Sequence, residues 1–120
     1  MPTILVVDDS AVSQRMLGYT LQRNGYAVLT ASDGLEALEL LGKHPIDLVI
    51  SDLAMPEMDG LSLMQALRAD ARFDAVQLIM LTASGLEQDC QAAQAAGVSD
   101  FLTKPTSTRD LLATVQRLIS

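Results

Sequence analysis

A chain of 120 residues, 49% of them apolar, has room for one core, and a mean hydropathy of +0.27 suits strands covered on both faces. A formal net charge of −7 and a pI near 4.4 argue against a nucleic-acid or anionic-membrane surface, since either calls for a basic face. The longest aliphatic runs, at 4–7 and 78–81, are too short to span a membrane, and no signal peptide is legible. The single cysteine, Cys90, rules out an internal disulfide, so a reducing cytoplasm is the expected compartment.

Strand one is expected over 3–7, ending in Asp8-Asp9-Ser10. Helix one follows from Ala11 to a stop at Gly25, with Val12, Met16, Leu17 and Leu21 on its buried face. Strand two covers 26–31, and Asp33-Gly34 turns the chain into helix two, with Leu35, Leu38 and Leu41 on one face and Pro45 closing it. Leu48, Val49 and Ile50 form a run too short for a helix and right for a buried strand three, which stops on Asp52. Beyond Pro56, Asp59 caps a helix three that buries Leu61, Met64 and Leu67. Strand four is expected over 76–81, ahead of Thr82-Ala83-Ser84-Gly85. Helix four takes 86–96, and Gly97 ends it. Strand five covers 98–102 and runs into Thr103-Lys104-Pro105, before a helix five striped by Leu111, Leu112, Val115, Leu118 and Ile119.

Five β–α units in strict alternation imply an α/β fold, a five-stranded parallel sheet with right-handed crossovers and helices on both faces. Parallel strands end at one edge, where ligands bind in such sheets. Asp8, Asp9, Asp52, Thr82 and Lys104 are therefore expected to converge although they lie up to 96 positions apart. Three carboxylates about 4 Å apart repel by roughly 4 kcal/mol per pair at an effective dielectric near 20, so either protons or a cation must sit among them. Oxygen-only ligands suit Mg²⁺, with Mn²⁺ as the alternative ion. Acids, a cation, a lysine and a hydroxyl together suit a phosphoryl group, and an aspartate can itself be the nucleophile.

Four segments together, Ile4-Leu5-Val6-Val7-Asp8-Asp9, Asp52-Leu53-Ala54-Met55-Pro56-Glu57-Met58-Asp59-Gly60, Leu81-Thr82-Ala83 and Asp100-Phe101-Leu102-Thr103-Lys104-Pro105, give the chain its likeness. In order and at successive strand ends, they resemble the receiver domains of two-component response regulators. The resemblance implies a flavodoxin-like sheet with strand order 2-1-3-4-5 and a single receiver domain over residues 1–120, with no output segment legible. It implies that Asp52 accepts a phosphoryl group from a phosphohistidine. Asp9, Asp52 and the backbone carbonyl of Ala54 would ligate Mg²⁺, with Asp8 ligating it or holding its water. Lys104 would pair with phosphoryl oxygens, Thr82 would move to hydrogen-bond them, and small Ala83 would leave a backbone N–H accessible. The Lys104-Pro105 bond would be cis, against about 5–6% of X-Pro bonds in general.

Phe101 resembles the family's switch aromatic, whose ring turns inward when Thr82 moves and remodels the face of helix four, strand five and helix five. It carries no hydroxyl where other members have tyrosine, so a phenolic hydrogen bond has no counterpart here. Ala54 and Ser84 are small, which implies little shielding of the phosphoryl group from water. The partners implied are a sensor histidine kinase or a histidine phosphotransfer protein, and downstream an effector or a phosphorylation-dependent dimer. Such a switch promotes only its own phosphorylation and dephosphorylation and is not otherwise an enzyme. Among alternatives, a Mg²⁺ phosphohydrolase of the haloacid dehalogenase kind needs Asp-x-Asp and a cap insertion, whereas this chain has adjacent Asp8-Asp9 and no room for a cap. A flavodoxin-like carrier needs a neutral phosphate loop where these acids stand. A receiver-shaped scaffold without phosphotransfer is expected to lack a site residue, and none is missing. Blander readings remain for single residues. Ser10 or Asp9 can cap helix one. Asp47, Glu57, Asp59 and Asp100 read as turn, cap or solvated residues, His44 as a loop residue and Cys90 as a structural thiol.

Overall fold

Five short strands, Thr3–Val7 (β1), Ala27–Ala31 (β2), Leu48–Asp52 (β3), Gln77–Thr82 (β4) and Asp100–Thr103 (β5), form one parallel sheet in the order β2-β1-β3-β4-β5. The computed structural model describes residues 2–52, 60–82, 97–103 and 107–119, with the backbone alone described at Gly60, Leu61, Thr82 and Thr103. The helices are α1 (Ala11–Arg23), α2 (Gly34–Lys43), α3 (Gly60–Arg68) and α4 (Thr108–Ile119), and a 3₁₀ turn at Ala71–Phe73 leads from α3 towards β4. The expected fifth helix is α4, because the expected fourth, over 86–96 and including Cys90, lies outside the described residues. No helix among the described residues is long and apolar enough to cross a membrane.

Successive strand residues point to opposite faces, and both faces are covered. Leu5, Val7, Val49, Leu78 and Met80 pack with Leu41 of α2 and with Leu63, Met64 and Leu67 of α3. Ile4, Val6, Leu48, Ile50, Ile79 and Leu81 pack with Leu21 of α1 and with Leu111 and Val115 of α4. Two buried layers explain why these strands read as unbroken apolar runs.

Strand five begins at Asp100, two residues later than its apolar pattern implies. Ser99 is the reason: its hydroxyl donates to Gln77 Oε1 (2.6 Å) and accepts from Leu78 N–H (3.1 Å), so a side chain occupies the start of the ladder. Tyr26, expected in β2, precedes it and is buried, its N–H bonded to Leu21 O. Gly25, with φ +93°, makes the left-handed turn that ends α1 as expected.

Helix α1 corrects the sequence expectation. Val12 is 64% and Met16 66% exposed, while Gly18 and Leu21 are buried and Leu17 partly so. At 3.6 residues per turn, Val12, Met16 and Tyr19 form one stripe, and Gln14, Leu17, Gly18 and Leu21 form another on the opposite side. The second faces the sheet, with Leu21 fully buried and Gly18 over β2, where a Cβ would make ordinary contact with Val28 Cγ1 at 3.6 Å. In α2 the sheet-facing line is Gly34, Ala37 and Leu41, which leaves Leu35, expected on the buried face, 52% exposed.

Candidate functional site

The site is built where β1 and β3 end side by side, with Val7 in register with Ser51. Asp8 extends β1 by one bond, its N–H donating to Ala31 O (3.0 Å), and is almost wholly buried, at 1% exposure. One of its carboxylate oxygens accepts from Ser10 N–H (2.9 Å). Ser10 caps α1 by accepting from Ser13 N–H (3.3 Å). The cap is therefore Ser10, which leaves the exposed carboxylate of Asp9 for other work. Asp52 is the last residue of β3 and half-buried, and the buried Ser51 hydroxyl beside it donates to Asp52 O (3.0 Å).

One carboxylate oxygen from each of Asp8, Asp9 and Asp52 lies within 4.8 Å of the other two. The convergence expected from strand order is thus present for the three acids. Two oxygens bound to one Mg²⁺ at about 2.1 Å stand at most about 4.2 Å apart. A bound of 4.8 Å lies just above that limit, so the acids can take the ion directly after small side-chain shifts or through a bridging water. The donor set is all oxygen, as Mg²⁺ prefers over softer metals.

Thr82 ends β4 in register with Thr103, which places its backbone at the same edge. Its side chain, together with Ala54, Ala83, Ser84, Lys104 and Pro105, lies outside the described residues, and so does the Lys104-Pro105 bond. Phe101 stands in β5 in register with Met80, half-buried against the core layer under α2 and α3. Asp100, expected in a turn or solvated, is paired with Arg117 of α4. Asp47 lies at the opposite edge of the sheet and accepts from Thr3 N–H (2.9 Å).

Two side chains that sequence reasoning missed hold the frame. Arg68, in the last turn of α3, donates to Gly97 O (2.9 Å), Phe73 O (3.3 Å) and Asp74 O (3.3 Å), tying the entry to β5 back to the sheet's far side. Gln14 donates to the carbonyls of Asp8 and Ala31. A polar residue in line with Leu17 and Leu21 was the available signal, since a side chain facing the sheet needs partners.

Comparison with known proteins agrees with this geometry. A family model described as the response regulator receiver domain matches residues 4–116. A 14.6 kDa protein of Leptolyngbya boryana is 40% identical over 95% of this chain and 87% of its own length. The DNA-binding dual master transcriptional regulator RpaA of Synechocystis is 36% identical over 99% of this chain, which spans only 49% of that regulator. Among solved structures, the chemotaxis protein CheY4 of Vibrio cholerae superposes with a TM-score of 0.94 at 38% identity, covering 99% of each chain.

Proposed function

The chain belongs to the family of response regulator receiver domains of two-component systems, and on that footing we propose that it is a phosphorylation switch whose acceptor is Asp52. The meeting of three carboxylates within 4.8 Å, at the end of the strand that carries the acceptor, supports this reading most directly. A carboxylate oxygen of Asp52 attacks the phosphorus of a phosphohistidine. The new P–O bond makes an acyl phosphate, the P–N bond breaks, and its electron pair returns to the imidazole nitrogen. Asp9, Asp52 and the Ala54 carbonyl would hold Mg²⁺, with Asp8 holding its water or ligating it directly. Mg²⁺, when bound, offsets the negative charge of the acids and of the phosphoryl oxygens. Lys104 neutralises a phosphoryl oxygen and Thr82 donates a hydrogen bond to another.

The phosphoryl group draws Thr82 inward, Phe101 follows, and the face that the family resemblance assigns to 86–96, β5 and α4 changes. An effector or a second copy of the chain reads that face. The donor is a sensor histidine kinase or a phosphotransfer protein in the cytoplasm. It approaches over α1, which starts two residues after Asp9, behind its Ser10 cap, and exposes Val12, Met16 and Tyr19. The protein catalyses no reaction beyond its own phosphorylation and dephosphorylation.

Incubation with acetyl phosphate and Mg²⁺, followed by intact-mass measurement, tests this. The expected result is a gain of one phosphoryl group that disappears in Asp52→Asn and in the presence of EDTA. Equal labelling of Asp52→Asn would overturn the assignment.

A further inference from the structure

The amide of Gln14 occupies a position that the phosphotransfer reading does not use. Strand β2 ends at Ala31 and β1 makes its last ladder bond one residue past Val7, so the carbonyls of Ala31 and Asp8 stand side by side at the end of the β1–β2 ladder. Ala31 O already accepts from Asp8 N–H (3.0 Å). The Asp8 carbonyl lies beyond the last β1–β2 pair, Val7 with Ala31. Gln14 Nε2 reaches both, at 2.5 Å from Asp8 O and 3.0 Å from Ala31 O, with Ser32 Oγ at 3.4 Å. Two carbonyls match the two protons of an amide NH₂, which fixes the orientation of the group because its oxygen facing them would repel both.

The consequence falls on the acids. The Asp8 carbonyl belongs to the peptide plane that joins Asp8 to Asp9, so holding that oxygen sets the direction in which Asp9 leaves the strand. Ser10 N–H holds the same short loop from its other end through the Asp8 carboxylate (2.9 Å). Between these two anchors, the peptide linking the buried and the exposed carboxylate has little freedom. We propose that Gln14 is a positioning residue for the divalent-cation site, acting through the Asp8–Asp9 peptide without touching the ion. This rests on the reading of Asp8, Asp9 and Asp52 as that site. Positioning of this kind is costly to lose, because outer contacts that orient metal ligands typically carry about 10- to 100-fold in affinity.

The test is Mg²⁺ affinity by calorimetric titration of the unphosphorylated protein, with the unfolding midpoint in EDTA measured alongside. Gln14→Met keeps length and bulk and removes both donors. It is expected to bind Mg²⁺ on the order of tenfold more weakly while remaining folded. Gln22→Met makes the same change on the same helix away from the strand ends, and wild-type affinity is expected there. Should Gln14→Met fail to fold, Gln14→Asn decides, since its amide is one methylene too short to span both carbonyls and an intermediate loss is expected. Wild-type affinity in whichever Gln14 variant folds, or an equal loss in Gln22→Met, would overturn the proposal. A wild-type protein that binds no Mg²⁺ would instead take down the metal reading, and this inference with it.

Discussion

Gly97 and Gly25 both sit at positive φ, +87° and +93°, yet they face different surroundings. A Cβ at Gly25 would meet nothing within 4 Å, whereas one at Gly97 would stand 2.9 Å from Arg68 Cγ. Left-handed backbone costs an L side chain about 1–2 kcal/mol. Gly25→Ala is expected to lose that much stability in urea unfolding, and Gly97→Ala more, because the Arg68 side chain must also shift from its bonds. Equal losses would mean that the arginine gives way freely. Arg68→Met removes donors to three carbonyls and is expected to cost about 1–2 kcal/mol by the same measurement. A sequence reveals a basic residue near a helix end, but Arg68's acceptors are backbone oxygens as far as 29 residues away, which carry no residue-type signal. The acceptors of Gln14 are backbone oxygens too, so only its place in line with Leu17 and Leu21 marked it. The aspartates at the strand ends were legible because an acid after an apolar run marks both the end of burial and a chemistry.

Helix α1 carries two apolar stripes, and periodicity alone does not say which one meets the sheet. Gln14 and Leu21 decide it: the leucine is fully buried on the sheet side, and the glutamine finds carbonyls at the strand ends. That leaves Val12, Met16 and Tyr19 in water, with Arg23 placed 5.5 Å from the Tyr19 ring centre. Met16→Glu puts a charge on the exposed stripe and disturbs no buried contact, so the unfolding free energy should change by no more than about 0.5 kcal/mol. Labelling by phosphoramidate, a small donor with the same P–N bond, should keep its wild-type rate. Transfer from a phosphorylated histidine kinase that labels the wild type should slow by about tenfold or more, because a buried apolar contact is worth roughly 1.5–3 kcal/mol. Equal slowing with both donors would move the stripe's role from docking to the site itself. Among the strands, alternation with helices made direction and convergence legible. The late start of β5 was not, because it depends on a serine hydroxyl that takes the Leu78 N–H while the Ser99 N–H still bonds Leu78 O.

At the scale of the molecule, one edge of the sheet gathers negative charge on a chain that is already acidic, with a net charge of −7. Strand order made that gathering legible, while the separation of the oxygens depends on side-chain placement and loop anchors that no pattern encodes. At no more than 4.8 Å and an effective dielectric near 20, each carboxylate pair repels by roughly 3.5 kcal/mol or more before solvent screening. Asp9 is exposed, so most of its share is screened. Folding brings these groups together and the unfolded chain keeps them apart, so the repulsion counts against the native state whenever no cation is bound. Asp9→Asn in EDTA should therefore be more stable than the wild type, by on the order of 0.5–1 kcal/mol. Magnesium reverses the order. At one hundred times its dissociation constant, an ion bound only by the native state adds about 2.7 kcal/mol to the wild type. The variant, having lost a ligand, should gain far less at the same concentration. Thermal unfolding in EDTA and in Mg²⁺ reads both halves of the crossing. A wild type already more stable than Asp9→Asn without metal would show that the acids are held by something other than the cation. The acidic edge would then be part of the fold's support, and not a site whose instability is relieved by its ligand.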